Sequence, residues 1–133
     1  MTNERTEHKE APDTVRFVVL EHTDGEGLHF DLMIETGSRL ATWKSGQPPE
    51  EALGRALSCA RIADHRMAYL DYEGPVSGDR GHVRRRDAGV CIIEHRTPNS
   101  WHIRFEGQRL AGRFVLSRSG DEEEAWRLRA LAL

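Results

Sequence analysis

Only two cysteines occur, Cys59 and Cys91, each in an apolar stretch and neither in a CxxC pair, which excludes a disulfide framework and a zinc knuckle. Both read as core thiols of a reducing compartment. No apolar run approaches the roughly 18 residues of a membrane span, and the N-terminus lacks the basic-then-apolar order of a signal peptide. A soluble cytoplasmic protein with no membrane partner is therefore expected. A dominant sign of charge is also missing. With 19 Lys+Arg against 22 Asp+Glu the net charge is −3, so any nucleic-acid contact has to come from a local basic patch. The 133 residues suffice for one core and not for two, and 38% hydrophobic against 31% charged content suits a thin barrel or sandwich with a wide wet surface.

What is present is a succession of short β-type segments. Met1 to Thr14 is polar without apolar periodicity and reads as a disordered arm that includes His8, with the folded domain over residues 15–133. Val15 to Glu21 is rich in β-branched and aromatic residues and predicts a strand, and Thr23 to Gly27 predicts a turn. In His29 to Glu35, Phe30, Leu32 and Ile34 alternate with His29, Asp31 and Met33, so a hairpin is expected. Arg39 to Trp43 predicts a short third strand. Pro48, Pro49, Glu50 and Glu51 supply helix-start chemistry, and Ala52, Leu53, Ala56, Leu57 and Ala60 recur at helical spacing, which predicts one helix. Further strands are expected at Val83 to Arg86, Val90 to Glu94, Trp101 to Phe105, Arg113 to Arg118 and Trp126 to Leu131, with Asp87-Ala88-Gly89 as one of the turns between them. Glu122 to Glu124 reads as a solvated loop. The fold class is mainly β: a small antiparallel β-barrel with one or two short flanking helices.

Alternation across a strand puts His29 and Asp31 on one face, and His22 closes the preceding strand where a hairpin brings it alongside. Two neutral imidazoles and a carboxylate suit Mn²⁺, Zn²⁺ or Fe²⁺ and leave coordination positions open for water and substrate. The same three residues are also what the wet face of an ordinary hairpin carries, so spacing alone leaves both readings open.

A second block, ADHRMAYLDYEGPVSGDRG from Ala63 to Gly81, follows FVVLEH and LHFDLMIE. Together these resemble the 3′-phosphoesterase domain of bacterial DNA ligase D, whose sequences show an H…LHYDxRLE block and then a DHPLDYxxFEG block. Trp43 and the LAGRFVLSRS segment, Leu110 to Ser119, extend the resemblance over about residues 15–131. The HxDLM form with YEGPVSG is similar to a stand-alone branch of that family. The resemblance implies metal ligands at His22, His29 and Asp31, an active-site histidine at His65 and a phosphate-contacting tyrosine at Tyr69. It implies removal of a 3′-phosphate or a 3′-terminal ribonucleotide from a DNA end, with manganese as the metal and zinc as the alternative. Implied partners are DNA 3′ ends and a repair polymerase or ligase of the end-joining type, and the protein is expected to be a monomer.

Two positions and one spacing, that between His22 and His29, depart from the family pattern. Met33 and Leu57 stand where the ligase-fused domains have arginines, and the first two histidines are one residue further apart. A phosphate clamp is thus missing at Met33. An imidazole titrates near neutrality, so His65 suits proton or hydrogen-bond donation to a phosphoryl group, while a hydrogen-bonded structural histidine is the alternative. Tyr69, among Met67, Leu70 and Tyr72, equally reads as a core residue with its tip in water. Arg80, Arg84, Arg85 and Arg86 surround His82 in the one dense basic run, which fits either a DNA backbone contact or a solvated strand face. If that segment is a strand, Arg84 and Arg86 share a face. His95 and His102 read as surface or core histidines. Two rival functions stay open. One is an Fe(II) facial-triad oxygenase with His82, His95 or His102 as third ligand, and the other is a non-catalytic module that grips DNA ends or repair partners.

Overall fold

In a computed structural model, which describes residues 13–131, the alternating segments become nine antiparallel strands: β1 (Asp13–Asp24), β2 (Gly27–Thr36), β3 (Arg39–Ser45), β4 (Leu57–Arg66), β5 (Gly74–Pro75), β6 (His82–Thr97), β7 (Ser100–Glu106), β8 (Ala111–Arg118) and β9 (Ala125–Ala130). Their order is β1-β2-β3-β4-β9-β8-β7-β6, and pairing of β6 with β1 closes eight of them into a barrel, as the alternation implied. The short β5 pairs with the start of β6. Two 3₁₀ turns, Pro49–Leu53 and Met67–Leu70, flank the barrel. Among the described residues no helix is long and apolar enough to cross a membrane.

Period-two alternation divides the apolar residues between two clusters. Phe17, Val19, Phe30, Leu32, Ile34, Trp43, Trp101, Phe105, Phe114 and Trp126 fill the barrel. Each such side chain contributes about 1.5–3 kcal/mol by leaving water. At one place in the interior Trp43 meets Trp101 and Trp126 edge-on, with ring centroids 5.0 and 5.6 Å apart, and the Arg61 guanidinium lies 4.5 Å from the Trp43 ring centre. Val18, Leu20, Met33, Leu40 and Val83 form a second cluster on the opposite, outer face. Leu70, Val76, Met67, Tyr69 and Tyr72, from the excursion between β4 and β6, pack against it. A strip of outer barrel wall is thereby converted into the floor of a cavity.

Several expectations are corrected. The arm over Met1 to Thr14 falls outside the described residues except for Asp13 and Thr14, which already belong to β1. The helix expected through Ala60 is a five-residue 3₁₀ turn closed at Gly54, whose N–H donates to the Glu51 carbonyl at 3.1 Å. Its apolar spacing was too short a sample to separate period 3.6 from period two. Leu53 is 60% exposed, whereas Leu57 enters the barrel core as the first residue of β4, opposite Leu128.

Asp87-Ala88-Gly89 is not a turn, because β6 runs without interruption from His82 to Thr97. A register shift opposite Val19 and Leu20 leaves Arg86 unopposed, which is a β-bulge. The buried Asp87 carboxylate accepts N–H groups from Gln108, Arg109 and Leu110 at 2.8–3.0 Å and so ties down the β7–β8 connection. Gly89 permits close approach of β7, since a Cβ there would sit 2.7 Å from the Glu106 carbonyl oxygen.

Candidate metal centre and its cavity

The β1–β2 hairpin turns on Gly25 and Glu26, and the Asp24 carboxylate accepts the Glu26 N–H at 2.8 Å. That register sets His22 directly opposite His29, and Leu20 opposite Asp31. The two imidazoles approach to 4.5 Å between ring centres, and one ligand atom from each of His22, His29 and Asp31 lies within 4.8 Å of the others. Asp31 is only 2% exposed.

The polarity of this group is that of a cation site. The Arg80 carbonyl is 2.8 Å from His22 Nε2, and since a carbonyl only accepts, Nε2 carries the proton. In the neutral ring Nδ1 is then a lone pair, aimed at Asp31 Oδ2 from 3.3 Å. Asp31 Oδ1 lies 3.3 Å from His29 Nε2 without hydrogen-bond geometry, so this buried oxygen has no donor. Leaving such an oxygen unpaired is costly, and a metal ion is a partner that satisfies it together with both imidazole lone pairs. Burial pushes the His29 imidazole below its usual value; Asp31 opposes that shift and His22 adds to it. Proton loss is what a ligating nitrogen requires. The residues fit a divalent metal, and a backbone carbonyl on a ligating histidine is the outer-shell support such sites use.

A cavity of about 480 Å³ opens beside this group, and His22, Asp31, Met33, His65, Tyr69 and Arg80 are among the residues that line it. His65 reaches it through a bulge. Arg61 on β4 lies opposite the inward-facing Trp43, and simple alternation would send His65 to that same inner face. An extra residue between Ile62 and His65 shifts the register, so that His65 lies opposite the outward-facing Leu40. His65 Nδ1 is 2.9 Å from the Ala63 carbonyl and therefore donates to it, which leaves Nε2 as the unengaged ring atom. The Tyr69 ring stands edge-on to His65, with centroids 5.6 Å apart, and also packs on the outer cluster. Tyr69 thus lines the cavity and packs on the outer apolar cluster at once.

Not every expected residue arrives. Arg84 and Arg86 do share a face, but that face is turned from the cavity: Arg84 bonds Glu21 at 3.0 Å, and Arg86 bonds Glu21 at 3.1 Å and Glu50 at 2.6 Å. Register fixes this for Arg84, which lies opposite Glu21 while its neighbour Val83 lies opposite His22. His95 and His102 face each other across β6 and β7 with centroids 5.7 Å apart, and neither they nor His82 line the cavity. The third ligand required by the oxygenase reading is therefore His22 or none. Met33 is buried in the cavity floor and Leu57 in the barrel interior. Conversely, Arg39 and Arg66 line the cavity although nothing in their sequence context marked them. Arg39 follows a turn and carries no periodic signal.

Comparison with curated protein sequences finds no match. A family model described as the DNA ligase D 3′-phosphoesterase domain matches residues 20–118, which span both hairpin histidines, Asp31, His65, Tyr69 and the strands that position them. The chain belongs to the DNA ligase D 3′-phosphoesterase domain family, and that membership implies a 3′-phosphoesterase role in end repair.

Proposed function

We propose that the protein is a divalent-metal-dependent phosphoesterase that removes a 3′-terminal phosphate or ribonucleotide from DNA ends, leaving the hydroxyl that a repair ligase or polymerase needs. The single observation that carries this reading is the buried, donor-less Asp31 Oδ1 between two imidazoles at the edge of an arginine-lined cavity. His22, His29 and Asp31 would hold the metal; the donor set suits manganese, zinc or iron, and family membership is the reason to put manganese first and zinc second. When bound, such an ion supplies positive charge to a nonbridging phosphate oxygen.

The remaining work falls to the chain's own residues. His65 is anchored through its Nδ1–H on the Ala63 carbonyl, which fixes Nε2 at one point of the cavity wall; in the neutral ring that atom is an acceptor, and the imidazolium form is the one that can deliver a proton from it to the departing 3′ oxygen. The Tyr69 hydroxyl could serve a phosphate oxygen, and its ring packs edge-on against His65. Met33 contributes no donor, and loss of one preorganised donor typically lowers kcat by about 10²- to 10³-fold. Slow turnover is accordingly expected. The same observation supports the second reading, an end-binding module without turnover.

The test is hydrolysis of a 3′-phosphorylated primer with added Mn²⁺ by wild type, His65→Ala and Met33→Arg. Weak wild-type activity that His65→Ala abolishes and Met33→Arg increases is the expected result. Full activity in His65→Ala would overturn the assigned chemistry, and no turnover in either wild type or Met33→Arg would favour the end-binding module.

A further inference from the structure

Arg39, Arg66 and Arg80 line the cavity, and among the described residues none of them forms an ion pair. Several arginines elsewhere are committed: Arg16 to Asp71, Arg84 to Glu21, Arg86 to Glu21 and Glu50, and Arg113 to Glu94. Three guanidinium groups without a carboxylate partner thus border one cavity. A cavity whose walls carry cations without carboxylate partners is completed electrically by an anion.

Arg80 already gives Nε and Nη2 to Ser77, at 2.7 and 3.2 Å, whereas Arg39 is tethered by a single bond and keeps more of its fork for one specific contact. It begins β3 at the cavity rim, and its Nη2 donates to the Asp64 carbonyl at 3.0 Å. One N–H is therefore spent on fixing the guanidinium plane, and the rest of the fork is free. The Asp64 carboxylate is turned to Arg61 instead, with 3.8 Å between Oδ1 and Nη2. Met33, 1% exposed in the floor, offers no competing charge or donor. A planar, tethered fork matches two oxygens of a phosphoryl group, which a lysine's point charge does not.

We propose that Arg39 is the phosphoryl-binding residue of this cavity, taking two oxygens of a terminal, dianionic phosphate from the β3 side. The proposal rests on the phosphoesterase reading of the cavity. It assigns to Arg39, on a neighbouring strand, the clamp that position 33 lacks.

The experiment titrates inorganic phosphate into the Mn²⁺-supplemented full chain by calorimetry, using wild type, Arg39→Gln and Arg39→Lys, with melting temperature and Mn²⁺ binding as folding controls. A bidentate charge-assisted contact predicts about tenfold to a hundredfold weaker phosphate binding in Arg39→Gln and a partial loss in Arg39→Lys. Equal phosphate affinity in wild type and Arg39→Gln, or no phosphate binding to wild type, overturns the proposal. Hydrolysis of a 3′-phosphorylated primer is scored separately. Phosphate binding that depends on Arg39 without turnover would sustain the site while removing the phosphoesterase reading, and turnover with Arg39-independent phosphate binding would do the reverse.

Discussion

His22 Nε2 and the Arg80 carbonyl oxygen are 2.8 Å apart, so a loop between two strands fixes the tautomer of an imidazole proposed as a metal ligand. The contact exists because Gly81, the next residue, lies almost on the β1 backbone: a Cβ there would fall 1.8 Å from the Thr23 carbonyl oxygen, and its φ of 85° already disfavours other residues. Gly81→Ala is expected to lift the loop and weaken Mn²⁺ binding by about 10- to 100-fold, the usual cost of losing an outer-shell partner. Arg80→Ala, which keeps the carbonyl, should bind Mn²⁺ as wild type does. Calorimetry on the two variants checks both outcomes.

The Glu21 network predicts an acid-sensitive contribution to stability. Burial raises the Glu21 carboxyl, but hydrogen bonds and charge from Arg84 and Arg86 outweigh it and hold the group below its ordinary 4.5. A depressed carboxylate stabilises the fold fully above its unfolded value and loses that contribution as pH falls through the folded value. Urea unfolding should therefore show Glu21→Gln less stable than wild type at neutral pH, with the gap closing below about pH 4.5. A gap independent of pH would place the stabilisation elsewhere.

Burial pushes the thiols of Cys59 and Cys91 up to about 12, with Glu35 adding to the effect on Cys91. Neither should react with Ellman's reagent at pH 8 in the folded protein, because the thiolate is the reactive form. Both should react once guanidinium unfolds the chain. Rapid labelling of the native protein would show that β4 opens locally, since Cys59 lies on that strand.

The parts of the site legible in the sequence are those governed by strict alternation. His29 and Asp31 share a face because period two holds through β2, and His22 joins them because a two-residue turn fixes the hairpin register. His65 was legible only through its block's family resemblance, since alternation along β4 is broken by a bulge that no residue type announces. Alternation also predicted that Arg84 and Arg86 share a face. It could not say which one, because that depends on pairing with Glu21, more than sixty residues away in sequence. The helix was misread for the opposite reason: five small apolar residues fit period 3.6, and only the partner strand β9 reveals that Leu57 and Cys59 pair with Leu128 and Trp126. Arg39 was missed because its role comes from the cavity it borders, a property of tertiary structure.

The most direct measurement is a calorimetric titration of Mn²⁺ into wild type and Asp31→Asn, after circular dichroism shows both folded. Asp31→Asn preserves shape while removing the charge and replacing one of the two carboxylate oxygens that face His22 and His29 by an NH₂ group, which cannot ligate a cation. One ion per chain is predicted for wild type, with affinity in Asp31→Asn reduced by more than the roughly 10- to 100-fold that loss of an outer-shell partner costs. Equal binding by the two proteins, or none by wild type, would contradict a metal centre at His22, His29 and Asp31.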